Sequence, residues 1–284
     1  MKKILITILT ALTIFAPMQV AKAADERVVA ILDTAIDSNK NTSVIYEACF
    51  SPEKSIGYCP NNAPFMEGKG SANTLFWPSS PNMSNNLYHG QKMVSTAFKT
   101  TPNIKIVFVR VYSINQTTGS LATDYKNIIN ALDWVSKNAS KYSIDAVSIS
   151  QSMTSSTSLT NCTNEVVVKA VESLNTQNIP VFAATGNDRL KDKVGFPSCV
   201  NKAVGIGALT KDGLMLQPIT NTGPGLDAVA IGDIDITNST GTLISINGTS
   251  VATAVAAAKY VGQTSLFDQF IAGMTKFLTY PFIK

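Results

Sequence analysis

Val28-Val29-Ala30-Ile31-Leu32-Asp33-Thr34 is an uninterrupted apolar run that stops on a carboxylate. A run of this kind, rich in branched residues and lacking polar alternation, reads as a strand buried on both faces. Comparable runs recur at Ile104 to Val111, Ala146 to Ile149, Val181 to Ala184 and Ala203 to Ile206. Between several of them apolar residues fall at helical spacing. Ile128, Ile129, Leu132 and Val135 do so within Asp124 to Asn138, and Val167, Val168, Val171 and Leu174 within Glu165 to Thr176. Strand–helix–strand repetition predicts an α/β fold: a doubly wound, mostly parallel sheet flanked by helices, with right-handed crossovers. With no internal repeat and no linker-like break, residues 24–284 read as one domain.

The 284 residues carry 23 basic side chains, 19 acidic ones, four cysteines and one histidine. A single histidine excludes sites that draw two imidazoles from one chain, such as zincin helices, facial triads and zinc fingers. Lys2, Lys3 and Lys22 supply most of the formal charge of +4. Without them the balance is 20 basic against 19 acidic, which gives no reason to expect nucleic acid as a partner. Those lysines belong to a segment of its own kind. Lys2-Lys3 is a positive n-region, Ile4 to Ala16 is uncharged, Pro17 breaks it, and Ala21-Lys22-Ala23 places small residues at both cleavage-determining positions. This is the layout of a secretory signal peptide over residues 1–23. The apolar stretch is shorter than the roughly 20 residues a spanning helix needs. Cleavage is therefore expected rather than membrane insertion, with export to a periplasm or the cell exterior. In an oxidising compartment an even cysteine count favours disulfides. Four cysteines allow three pairings, and proximity in sequence favours Cys49 with Cys59 and Cys162 with Cys199.

Ligand sites in open parallel sheets lie at the carboxyl ends of strands. Asp33 directly follows the first apolar run, and Gly186-Asn187 follows Val181 to Ala184. The stretches 38–86 and 151–163 read as long irregular connections that follow strands and wall a site. The lone histidine sits in Asn86-Leu87-Tyr88-His89-Gly90-Gln91 and opens a helix with Met93, Val94 and Ala97 behind it. Ser250 opens another, in Asn247-Gly248-Thr249-Ser250, ahead of the small residues Val251 to Ala258. A hydroxyl there lies at the positive end of a helix dipole, where developing negative charge is favoured.

An Asp at a strand end, a His opening a helix and a Ser opening another, in the order Asp, His, Ser, match the order of the subtilisin-type triad. At these residues the chain resembles the subtilisin-like serine proteases, the subtilases. Val29-Ala30-Ile31-Leu32-Asp33-Thr34-Ala35-Ile36-Asp37 is similar to the family's V-A-V-I-D-T-G-I-D, and His89-Gly90 to the start of H-G-T-H-V-A-G. Ala183-Ala184-Thr185-Gly186-Asn187 resembles A-A-A-G-N. Phe196-Pro197-Ser198 with Ala203-Val204-Gly205 resembles Y-P-S and A-V-G-A. Asn221-Thr222-Gly223-Pro224-Gly225-Leu226-Asp227 is similar to S-V-G-P-E-L-D, and Asn247 to Thr253 to the serine box N-G-T-S-M-A-T.

The resemblance implies a serine endopeptidase acting on polypeptides. Ser250 would be the nucleophile, His89 the general base, Asp33 its orienting partner and Asn187 the side-chain donor to the oxyanion. Ser150, Gln151 and Ser152 match the family's S-L-G cleft wall, and Ala184 and Gly186 flank it, so these five are the expected substrate-binding residues. Several positions depart from the pattern. Ala35 replaces the Gly of D-T-G, Gln91, Lys92 and Met93 replace T-H-V, Ala254 replaces Pro, and Ser152 replaces a Gly, where a side chain narrows the groove. Lys99 to Asn103 leave no room for the family's strong calcium loop, so no metal and no cofactor are expected. An insertion instead separates Asp33 from His89, holding Cys49, Cys59, Trp77 and Tyr88, and no prodomain is evident after residue 23. These departures motivate one alternative, an idle subtilase fold that binds peptides or protein partners. An esterase reading fails, because Gly248-Thr249-Ser250-Val251-Ala252 lacks the final Gly of the G-x-S-x-G elbow.

Overall fold

A computed structural model describes residues 27–51, 58–74, 86–115, 121–123, 125–238 and 241–262. The signal-peptide segment 1–23 and Trp77 lie outside them. In chain order the strands are β1 (Val28–Asp33), β2 (Val44–Phe50), β3 (Phe65–Glu67), β4 (Lys105–Arg110), β5 (Ser113–Ile114) and β6 (Leu121–Ala122). They continue with β7 (Ile144–Ile149), β8 (Val181–Ala184), β9 (Val204–Leu209), β10 (Ala228–Ile231), β11 (Asp233–Thr237) and β12 (Leu243–Asn247). The helices are α1 (His89–Thr100), α2 (Tyr125–Tyr142), α3 (Ser156–Leu159), α4 (Glu165–Asn175) and α5 (Thr249–Gly262).

The apolar runs predicted as strands become β1, β4, β7, β8 and β9 of one eight-stranded sheet, ordered β10-β9-β8-β7-β1-β4-β2-β3. Neighbours pair in parallel except β2 with β3. Side chains alternate across a strand, and here both faces are covered. Val28, Ala30 and Leu32 of β1 pack with Ile128, Leu132 and Val135 of α2 and with Val167, Val171 and Leu174 of α4. Val29 and Ile31 face the opposite layer, against Met93 and Val94 of α1 and the apolar side of α5. Each Val, Leu, Ile or Met among them contributes about 1.5–3 kcal/mol on burial, so a charge at Ile31 would break the central strand. Four of the nine buried residues of α5 are Ala252, Ala254, Ala257 and Ala258, small side chains that let the helix lie close on the sheet.

The segment 38–86, read as irregular, instead supplies β2 and β3 to the sheet. Glu47 concealed β2, because a carboxylate in mid-run interrupts the apolar signal. It is nonetheless buried, with Oε2 accepting from the Ser38 hydroxyl at 2.6 Å and from the N–H groups of Gly70 and Ala72 at 3.0 and 3.1 Å. Charge-assisted bonds of this number offset much of the desolvation cost. The fully buried Arg110 ties the same segment to β4 by donating to the carbonyls of Asn73 and Tyr58. Burial lowers its pKa to about 10. The stretch 151–163 is likewise not irregular: it holds α3 and a 3-10 turn at Thr160–Thr163. Of the three pairings the cysteines allow, the structure has Cys49–Cys59 and Cys162–Cys199.

Candidate active site

Strand order turns about β1, which has β7 on one side and β4 on the other, so a crevice opens at their carboxyl ends. Asp33 closes β1 there, fully buried. Its Oδ1 accepts from the N–H of Thr34 at 2.7 Å and lies 2.8 Å from His89 Nδ1. His89 is the first residue of α1 and keeps 30% of its side chain exposed, enough for the other ring nitrogen to face a ligand.

Two contacts bring α1 this close to β1. The N–H of Gly90 donates to the Thr34 hydroxyl at 2.9 Å. A Cβ on Gly90 would stand 2.5 Å from the Phe108 ring and 3.1 Å from the Ala35 carbonyl, so only glycine allows the approach. Ala35, the substituted glycine, is accommodated without strain. It is buried against Leu87 and Ile114, its N–H donates to the Leu87 carbonyl, and it is not among the residues with positive φ.

Ser250 lies in the first turn of α5, at the far wall of the crevice. Its hydroxyl donates to the Ser150 carbonyl at 2.9 Å, and the Ser150 hydroxyl returns a bond to the Ser250 carbonyl at 3.0 Å. Asn187 follows β8. Its Oδ1 accepts from the N–H and the hydroxyl of Thr249 at 2.9 and 3.0 Å. Because a backbone N–H only donates, these bonds fix the amide orientation and leave Nδ2 for another acceptor. Thr34, His89, Tyr112, Ser150, Asn187 and Ser250 together line one pocket of about 360 Å³.

The expected substrate-binding residues divide by where their side chains go. Ser150, Ser152, Ala184 and Gly186 line the pocket. Gln151 also borders it, but its side chain is buried and donates to the Leu32 carbonyl, turned toward the sheet end.

Three residues of the site carried no role in the sequence. Thr249 clamps Asn187 and accepts from the N–H of Gly186. Asn221 uses its whole hydrogen-bonding capacity on the loop that carries Asn187. Nδ2 donates to the Thr185 carbonyl and Asp188, while Oδ1 accepts from the N–H groups of Asp188 and Leu190. Tyr112 borders the pocket with its pKa raised by burial and, secondarily, by the charge of Asp33. Thr249 and Asn221 both fall inside segments that carry the family resemblance, but only folding brings them to Asn187.

The Subtilase family model matches residues 24–275. The chain belongs to the subtilase family. On that membership it is a serine-type endopeptidase whose substrates are polypeptides. No curated protein sequence matches this subtilase. Solved structures similar to it include proteases from Pseudoalteromonas arctica, at TM-score 0.66 and 18% identity over 88% of this chain and 83% of that one. A lanthipeptide protease aligns at TM-score 0.60 and 17% identity over 84% of this chain and 72% of that one. The nisin leader peptidase of Lactococcus lactis aligns at TM-score 0.60 and 13% identity, covering 84% and 77%. At such identities the likeness speaks for the fold of this subtilase. Among the described residues no cluster of His, Cys, Asp and Glu is grouped as a metal site.

Proposed function

We propose that this subtilase is an exported endopeptidase that cleaves through an acyl-enzyme on Ser250, with Asp33, His89 and Ser250 as its triad. The observation that carries the reading is the 2.8 Å pairing of His89 Nδ1 with the buried Asp33, set in the same pocket as Ser250. A carboxylate on Nδ1 fixes the tautomer that leaves Nε2 as the base, and stabilises the imidazolium that forms. The Ser250 hydroxyl rests on the Ser150 carbonyl, so attack begins with a rotation about its Cα–Cβ bond between staggered wells.

In the first half-reaction Ser250 Oγ bonds to the scissile carbonyl carbon as His89 takes its proton. The carbonyl oxygen, now negative, receives hydrogen bonds from Asn187 Nδ2 and from the Ser250 N–H at the start of α5. Collapse breaks the C–N bond, and His89 gives the proton to the leaving amine. Water then repeats the sequence on the ester and frees Ser250. The substrate lies extended beside residues 150–152. Export is supported by the signal-peptide layout of residues 1–23, by two disulfides, and by the lack of any described helix long and apolar enough to cross a membrane.

A fluorophosphonate probe tests the reading. The secreted wild-type protein should be labelled on Ser250 and hydrolyse peptides, and Ser250→Ala should lose both properties. Full hydrolysis by Ser250→Ala would overturn the assignment.

A further inference from the structure

The proteolytic reading leaves open which side chain the cleft admits on the acyl side of the scissile bond, and the following rests on that reading. His89 returns its proton to the leaving amine, so the amine lies on the His89 flank. The same pocket is lined away from His89 by Ser150, Ser152, Ala184 and Gly186, so the residue that supplies the carbonyl would project its side chain there, between segments 150–152 and 184–186. Those segments leave the ends of β7 and β8, which pair in parallel with Ile149 opposite Ala183. Next to Ser152 a two-way backbone bridge joins Met153 and Phe196, each N–H donating at 2.9 Å, and Gly195 lies alongside Ser152.

Two of the positions around this slot have no side chain. Gly186 needs none, because its φ of +109° lies in the region that disfavours any other residue. Two adjoining glycines would ordinarily leave an open space. Here Ser152 fills it. Its hydroxyl donates to the Thr185 carbonyl at 3.1 Å and stands 2.6 Å from where a Cβ on Gly186 would be. The place a Cβ on Gly195 would take is occupied by the same hydroxyl. Ser152 thus spans from one wall to the other, held by a hydrogen bond rather than swinging freely.

We propose that Ser152 sets the specificity of this enzyme: it closes the slot so that cleavage follows small residues, Gly, Ala or Ser, and excludes aromatic and long branched side chains. A benzyl group needs on the order of 150–250 Å² of surface to be received, and the hydroxyl stands where its ring would go. A misfit of a single methylene in such pockets is worth about 10–200-fold in kcat/KM, so exclusion of a whole ring should reach at least about 100-fold.

The test compares fluorogenic peptides that differ only in the residue before the scissile bond. Wild type should favour Ala over Phe by at least about 100-fold in kcat/KM, and Ser152→Gly should move that ratio toward Phe by about 10-fold or more. Ser152→Ala keeps the backbone restrained and should move the ratio in the same direction by less, which protects the test against misfolding of the glycine variant. A second arm reads the slot without chemistry. Product peptides ending in Ala or Phe compete for the Ser250→Ala protein, and the Ala-ended peptide should bind more tightly. Equal treatment of Ala and Phe in either arm, or an unmoved ratio in both Ser152 variants, would overturn the proposal. Fluorophosphonate labelling of Ser250 separates the two ideas. Labelling with the wrong preference sinks the slot alone, and Ala-selective binding without labelling sinks the proteolytic reading alone.

Discussion

Thr249 holds Asn187 by two hydrogen bonds to the same oxygen, one from its backbone at 2.9 Å and one from its hydroxyl at 3.0 Å. The residue before the proposed nucleophile therefore aims the amide that would receive the oxyanion. Serine, helix start and the proposed oxyanion donor are fastened to one another through a single threonine. Thr249→Val keeps the shape and the backbone bond but removes the hydroxyl, leaving the N–H of Gly186 without its acceptor. A lost buried bond costs about 1–3 kcal/mol, and the expected outcome is a kcat lowered by about 10-fold with KM much less affected. Thr249→Ser should restore most of it. A fall in KM-dependent terms alone would contradict the aiming role.

Asn187→Ala should reduce turnover while leaving Ser250 open to fluorophosphonate labelling. The size expected, about 10²–10³ in kcat, is taken over from subtilisin, where it is the known effect of losing the corresponding donor. Steady-state kinetics on one peptide decide it. An unchanged kcat would remove Asn187 from the oxyanion site.

Gly90→Ala should damage catalysis from outside the pocket. Its methyl would meet the Phe108 ring and the Ala35 carbonyl, pushing the start of α1 away from β1 and lengthening the Asp33–His89 bond. Overpacking of this kind costs about 1–3 kcal/mol of stability. Thermal unfolding and kcat should fall together, and Phe108→Leu added to Gly90→Ala should recover part of both. No recovery in the double variant would mean that the ring is not the obstacle.

Glu47→Ala should be among the most destabilising changes available in the insertion. It leaves the N–H groups of Gly70 and Ala72 without their acceptor, at about 1–3 kcal/mol each, while the Ser38 hydroxyl keeps Asn73 Oδ1 as its partner. Glu47→Gln retains an acceptor and should cost less. Chemical denaturation of the three proteins gives the order directly.

Reduction of the disulfides should lower the unfolding temperature, chiefly through Cys162–Cys199, whose sequence separation of 37 is the greater. Loss of that bridge should cost about 2–4 kcal/mol, measured as Cys162→Ser/Cys199→Ser against wild type.

What the sequence disclosed follows from how local each signal is. Buried parallel strands are near-continuous apolar runs, so β1, β4, β7, β8 and β9 could be read directly, as could α1 from the spacing of Met93, Val94 and Ala97. The segment holding β2 could not, because Glu47 breaks the run and its partners Ser38, Gly70 and Ala72 are distant in sequence. At the site, Asp33, His89, Asn187 and Ser250 were recognisable by type and order. Thr249 and Asn221 were not, since their work consists of hydrogen bonds that exist only once the start of α5 and the segment between β9 and β10 close on the loop after β8. The filling of the slot by Ser152 needed the structure for the same reason. Substitution of a glycine is visible in the sequence, but the two further glycines that receive its hydroxyl come from other segments.

The pairing of His89 with Asp33 has a spectroscopic consequence. The chain contains one imidazole, so its proton NMR spectrum holds one pair of ring-carbon proton resonances and one candidate for the downfield Nδ1 proton shared with Asp33. Every imidazole signal therefore reports on the proposed reaction centre, with no assignment by mutagenesis. Titration of those lines, or their response to a bound peptide, would follow the proposed base through its working cycle in the unmodified protein.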